Sequence, residues 1–264
     1  MTMVNAGRKL AGAVIVGVLL AALTSPALVS PALAQEIPDT FKNLKVLDKD
    51  IKKGELVGLM RMFAGGLGVR CAYCHVGEDG KPLSTFDFAS DEKQTKRAAR
   101  DMIRMVDAIN SKYIPKADLG RTDRLQINCV TCHHGLTRPE PLQNVLTRTT
   151  KEKGIDAALD EYRSLRQKYY GGAQYDFGPP TLNMLAERLA RDNKLPEAVK
   201  AAELNAELNP KEPFAQTALG DLYARQGDRP KAIEAMQRAL TIDPTNDYAR
   251  KRLDALQKAE PAKP

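Results

Sequence analysis

Between residues 51 and 66, IKKGELVGLMRMFAGG places Leu56, Leu59, Met60 and Phe63 at i, i+3, i+4 and i+7, the apolar stripe of one helix face, and ends in paired glycines. Met60 lies on that stripe and Met62 well off it. Residues 90–110, SDEKQTKRAARDMIRMVDAIN, show the same period, with Ala98, Met102, Met105, Val106 and Ile109 on the apolar side. A cap is expected there at Asp91 and Gln94. From about residue 150 onward Ala, Leu, Glu, Lys and Arg dominate at a helical period, and IDAALDEYRSLRQKYYG predicts one more packing helix. The expected fold class is all-α.

Two stretches of the C-terminal half repeat one another. Residues 183–210 align with 217–244 at an offset of 34, with identities at Leu185/Leu219, Ala190/Ala224, Arg191/Arg225, Pro196/Pro230, Ala198/Ala232, Ala201/Ala235 and Pro210/Pro244. That period, with small residues at the helix contacts, resembles the tetratricopeptide repeat. Each unit would be two antiparallel helices, and YARKRLDALQK would be the polar capping helix that a stacked array needs. Such a stack implies a groove for a protein partner, set against a purely structural or dimerising role. Tyr169, Tyr170 and Tyr175 are expected to pack the junction ahead of the repeats.

The N-terminus reads differently. Arg8 and Lys9 precede an apolar run from Leu10 to Leu23, and Ala32-Leu33-Ala34 offers a cleavage site before Gln35. The run is shorter than the roughly 20 residues of a spanning helix. Residues 1–34 are therefore expected to be an export signal, and the product periplasmic, with membrane attachment only through an uncleaved signal or a membrane-bound partner. Cleavage takes away Arg8 and Lys9 and no acid, lowering a formal charge of +7 by two. No dense basic run with interleaved aromatics remains, which argues against nucleic acid as a partner. The expected division is a 35–148 unit followed by a 149–264 helical repeat unit, with the boundary near TRPEPLQNVLTRTTKEKG.

All four cysteines fall in two clusters, CAYCH and INCVTCHHG, in which Cys71, Cys74 and His75 are matched by Cys129, Cys132 and His133. CxxCH is the attachment signal of a c-type haem. Two thiols add across the porphyrin vinyl groups, and the histidine behind them reaches the iron. Zinc would not require a histidine directly behind each pair. A redox-active CxxC calls for a βαβ setting that the helical surroundings do not supply. Disulfides within or between the pairs are the remaining alternative in an oxidising compartment. Two covalent haem c groups are the expectation.

His134 adjoins His133 and cannot reach the far side of the same haem, so two bis-histidine irons are not available within one chain. Met60, Met62, Met102, Met105, Met184 and Met236 are the remaining soft ligands, the last two in the distal helical region. Periodicity does not choose between Met102 and Met105, because a methionine on an apolar stripe also fills cores.

NLKVLDKDIKKGELVGLMRMFAGGLGVRCAYCH, followed by ARDMIRMVDAIN and NCVTCHHG, resembles the cytochrome c subunit of photosynthetic reaction centres over residues 43 to about 136. In that family a helix bearing the axial methionine precedes each of several CxxCH sites. The resemblance implies Met60 with His75 for the haem at Cys71 and Cys74, and Met102 with His133 for the haem at Cys129 and Cys132. The family typically carries four haems and this chain has sites for two. The histidine that the family places between the second methionine helix and the second CxxCH, as ligand to another haem, has no counterpart in SKYIPKADLGRTDRLQI.

These readings point to an exported dihaem electron carrier, not an enzyme, serving redox partner proteins that dock through the repeats. The rivals are a dihaem peroxidase-type enzyme and a haem-based sensor or assembly factor, each of which needs an open sixth position.

Overall fold

The computed structural model describes residues 37–117 and 125–258. The export signal expected at residues 1–34 lies outside the described residues.

The first helix, α1 (Lys53–Leu67), runs through both of the glycines expected to end it and stops at Gly68. Gly68 takes the left-handed conformation (φ 66°), and the chain around it bonds back to the last turn. The second, α2 (Gln94–Ala108), continues into one π turn at Ile109–Tyr113 and a short 3-10 turn at Ile114–Lys116. A five-residue helix, α3 (Cys129–His133), is capped by Asn128, whose side chain accepts from Thr131 N–H while Thr131 Oγ1 accepts from Asn128 N–H.

The cap expected on α2 does not form. Asp91 instead receives Asn43 Nδ2 at 2.9 Å and pairs with Lys45 and Arg100, each at 2.7 Å. The Lys45 bond, followed by Arg100 and Asn43, holds its carboxyl well below the usual carboxylate range. Lys96 Nζ donates to the Phe88 and Ser90 carbonyls at 2.8 and 2.7 Å. Lys96 and Arg100, each 9% exposed, are thus turned inward, and Ala98, Met102 and Met105 face out. The apolar side of α2 is thus only partly covered by protein: Val106 and Ile109 are half-buried, and Ala98, Met102 and Met105 are exposed.

The C-terminal half is a stack of antiparallel hairpins: α4 (Leu142–Lys153) with α5 (Ile155–Tyr169), α6 (Pro179–Arg191) with α7 (Leu195–Leu208), and α8 (Pro213–Gln226) with α9 (Arg229–Ile242). Helix α10 (Asp247–Lys258) closes the stack on α9. Ala198, Ala201, Ala232, Ala235 and Ala239 are wholly buried, the close approach that their spacing predicted. Gly220 serves the same end, since a Cβ there would lie 2.8 Å from Met236 Cε. The expected boundary at 148/149 falls inside α4, whose Leu142, Val145 and Leu146 belong to this core. The proline-bearing stretch read as the boundary therefore opens a third hairpin.

Burial divides the described residues sharply. Of the buried apolar residues, only Leu56 and Phe86 precede Leu142. The hairpin stack is self-sufficient by contrast, with Leu146, Tyr162, Leu182 and Met236 fully enclosed. A fragment of residues 142–258 is expected to give a helical circular dichroism spectrum and to melt cooperatively without any cofactor. A disordered spectrum would show that the stack depends on the preceding half.

Candidate functional site

The first attachment loop follows directly from the end of α1. Cys71–Tyr73 forms a single 3-10 turn, with His75 N–H bonded to the Cys71 carbonyl at 3.0 Å. The start of α2 holds this loop: Lys93 Nζ donates to the Ala72 carbonyl and Thr95 Oγ1 to the Tyr73 carbonyl. Cys71 is exposed, and burial pushes the half-buried Cys74 thiol up. The His75 ring lies edge-on to Phe88 at 5.0 Å between centroids. Its buried Nδ1 has no hydrogen-bond partner. Burial, and then the Lys96 cation, lower the His75 pKa to about 4, so the imidazole is neutral and able to ligate.

The second site is built on α3. Gly66 brings α1 against it, because a Cβ at Gly66 would sit 3.0 Å from Cys129 Cβ and 3.1 Å from Val130 N. Gly68 approaches as closely, with Gly135 O only 2.2 Å from where its Cβ would be. His133 Nδ1 lies 2.7 Å from the Leu136 carbonyl. A carbonyl only accepts, so Nδ1 carries the proton and Nε2 is left with its lone pair for a metal. Cys132 is exposed, and burial pushes the Cys129 thiol up. Asn110, at the π turn, donates to the Ile127 carbonyl and accepts from its N–H, both at 2.8 Å, which ties the end of α2 to the segment entering α3.

Each of the two methionine-bearing helices therefore touches elements of both sites. Met60 is half-buried on α1. Met102 and Met105 are 44% and 46% exposed on the apolar side of α2, and Met62 is exposed on α1. Met236 is sealed in the core of the hairpin stack and unavailable to a ligand. Met184, which its position in the chain puts far from the attachment sites, instead lines a cleft of about 470 Å³ with Cys132, His133, Leu136, Gln174 and Tyr175. His134 is exposed, and its backbone carbonyl accepts from Gln174 Nε2 at 2.8 Å.

These features fit a haem at each site. An orphaned imidazole nitrogen, a second imidazole oriented by a carbonyl, and exposed methionines on the apolar side of α2 stand beside one exposed and one half-buried thiol at each site. Among the described residues no three His, Cys, Asp or Glu side chains gather as one metal ion would require, so the two CxxC pairs do not form a shared tetrahedral site. The four thiols are unpaired in the structure. No helix among the described residues is long and apolar enough to cross a membrane. Of the tyrosines expected to pack the junction, Tyr169 and Tyr175 meet edge-to-face at 5.6 Å, whereas Tyr170 is exposed beneath the Arg166 guanidinium.

Comparison with known proteins bears on the same residues. The family described as photosynthetic reaction centre cytochrome C subunit matches residues 21–208, and a tetratricopeptide repeat matches 213–246. The photosynthetic reaction center cytochrome c subunit of Rubrivivax gelatinosus is 38% identical over 96 residues, covering 34% of this chain and 25% of that protein. Cytochrome c-554 of Chloroflexus aurantiacus is 34% identical over 101 residues, covering 38% and 22%. The chain thus spans about a quarter of the length of these relatives. Among solved structures, the first TPR domain of human RPAP3 is 20% identical at a TM-score of 0.31, over 44% of this chain and 87% of that one.

Proposed function

Because the chain belongs to the photosynthetic reaction centre cytochrome c subunit family, we propose that it is an exported dihaem c-type cytochrome that passes electrons between periplasmic or membrane redox proteins. Cys71 and Cys74 would hold one haem, and Cys129 and Cys132 the other, each by two thioethers. His75 with Met60, and His133 with Met102, would supply the axial ligands. Once bound, each haem supplies an iron that gains or loses one electron without proton transfer to the protein.

The residues of this chain do the rest. Burial keeps His75 neutral, so it need not lose a proton to ligate. The Leu136 carbonyl fixes the tautomer of His133 and makes its free nitrogen a better donor. The Met60 and Met102 thioethers, as ligands, would favour the ferrous state and would occupy the place that a peroxidase or a gas sensor keeps open. Helices α1 and α2 each reach both attachment sites, which favours short electron transfer between the two haems. The tetratricopeptide stack from Leu142 onward would dock the redox partner.

The observation that carries this reading is the duplicated attachment: every cysteine of the chain in a CxxCH, with a neutral or oriented imidazole behind each pair. The mature protein should keep two haem masses after denaturation. It should titrate reversibly through two one-electron steps and refuse carbon monoxide when reduced. Immediate carbon monoxide binding would favour the peroxidase or sensor, and a mass without haem would end the reading.

A further inference from the structure

The turn that follows the second attachment site, residues 133–136, is closed on itself and clamped from two sides. Leu136 N–H donates to the His133 carbonyl at 2.7 Å, and the Leu136 carbonyl receives the His133 imidazole, also at 2.7 Å. Gly135 N–H donates to Gly66 O, at the end of α1, at 2.9 Å. On the opposite side Gln174 Nε2 donates to the His134 carbonyl at 2.8 Å. The backbone inside the clamp is unusual, with His134 at φ 47° and Gly135 at φ 83°. A non-glycine residue at positive φ is sparsely populated and persists where its surroundings hold it.

Gln174 comes from the far half of the chain, on the loop between α5 and α6, and that loop is firmly seated. Phe177 stacks edge-to-face on Tyr162 at 5.6 Å, and its carbonyl accepts from the buried Tyr162 hydroxyl at 3.2 Å. Tyr175 packs between Tyr169 and Phe177. The Gln174 amide lies close over Gly172, where a Cβ would sit 2.2 Å from Gln174 Oε1 and push it aside.

We infer that Gln174 is a positioning residue for the second haem, acting from the repeat half through the 133–136 turn on the bond between His133 and Leu136. The inference rests on the attachment of a haem at Cys129 and Cys132 with His133 as its ligand. The stronger the His133–Leu136 bond, the more basic the imidazole and the more it favours ferric iron. Releasing the His134 carbonyl lets the turn relax, lengthens that bond and shifts the iron toward the ferrous state.

The test uses the haem-loaded full chain and Gln174→Met, which keeps the side chain's bulk and removes its donor. Gly172→Ala, which displaces the Gln174 amide without altering it chemically, serves as an independent second variant. Potentiometric titration should show one of the two redox waves moving upward, the one that persists when Cys71 and Cys74 are replaced. The ferric electron paramagnetic resonance g-values of that haem should move with it, and those of the other should not. A global loosening would disturb both haems alike, and that result overturns the inference. So do unchanged waves and g-values in both variants, each shown by mass to carry two haems. A wild-type chain without haem at Cys129 and Cys132 would sink the attachment reading, and this one with it.

Discussion

Replacing all four cysteines by alanine is expected to unfold the described residues ahead of Leu142 and to leave the hairpin stack from α4 to α10 intact. Replacing Cys71 and Cys74 alone should leave one covalent haem, and replacing Cys129 and Cys132 alone should leave the other. The reasoning is one of magnitudes. Burying an apolar side chain fully stabilises a fold by about 1.5–3 kcal/mol. Ordering the backbone costs about 1–2 kcal/mol per residue. Before Leu142 the buried apolar side chains among the described residues are Leu56 and Phe86 alone, so apolar burial offsets a few residues of roughly 100. Nor do the polar contacts close the gap. The Asp91 cluster with Asn43, Lys45, Lys96 and Arg100 is partly open to solvent, where ion pairs contribute little. A haem at each site would be the apolar mass that completes the partly covered face of α2 and the thiols. Amide hydrogen exchange on the four-cysteine variant should show loss of protection in α1 and α2, with α5 to α9 still slow. If α1 and α2 stay protected without haem, this half folds by itself and the haem is an accessory.

The outcome at α2 shows what a sequence can and cannot disclose. Its helix was legible from the spacing of Ala98, Met102, Met105, Val106 and Ile109, and so was the amphipathic character. Which side faces protein was not. An apolar stripe is read as core by default, and here Lys96 and Arg100 pack inward because Asp91, Asn43 and the Phe88 and Ser90 carbonyls neutralise and bond them. Those partners come from separate segments, and no period links them. The repeats were read more fully, because Ala198, Ala201, Ala232 and Ala235 recur at fixed intervals and pack against their own kind. Helix α4 was missed where Pro139 and Pro141 suggested the boundary between the two units. Proline just ahead of a helix fits it well, and Leu142, Val145 and Leu146 behind it carry the period. At the site, CxxCH announced the thiols and imidazoles. The carbonyl of Leu136 and the amide of Gln174 gave no signal, since a backbone acceptor has no letter and an isolated glutamine has no motif.

Removing the thioethers should produce the largest functional change, and it also decides which methionine serves which iron. The ferric protein is expected to show the weak far-red band of methionine–iron bonding, with intensity for two sites. Met60→Ala should abolish about half of it, and the Met60→Ala/Met102→Ala double variant all of it. Each opened iron should then bind carbon monoxide when reduced, and its potential should fall. Met62→Ala, on the exposed side of α1, should leave the band in place, as should Met105→Ala. Met184→Ala is the further control, because Met184 shares a cleft with Cys132 and His133. The pairing needs a sharper experiment, because α1 packs on α3 and the start of α2 holds the first attachment loop. In the variant lacking Cys71 and Cys74 only the second haem remains. There Met102→Ala should abolish the band and Met60→Ala should spare it. Loss through Met60→Ala would mean that each helix serves the site it packs against, crossing the assignment. Loss through Met184→Ala would bring the repeat half directly to the iron.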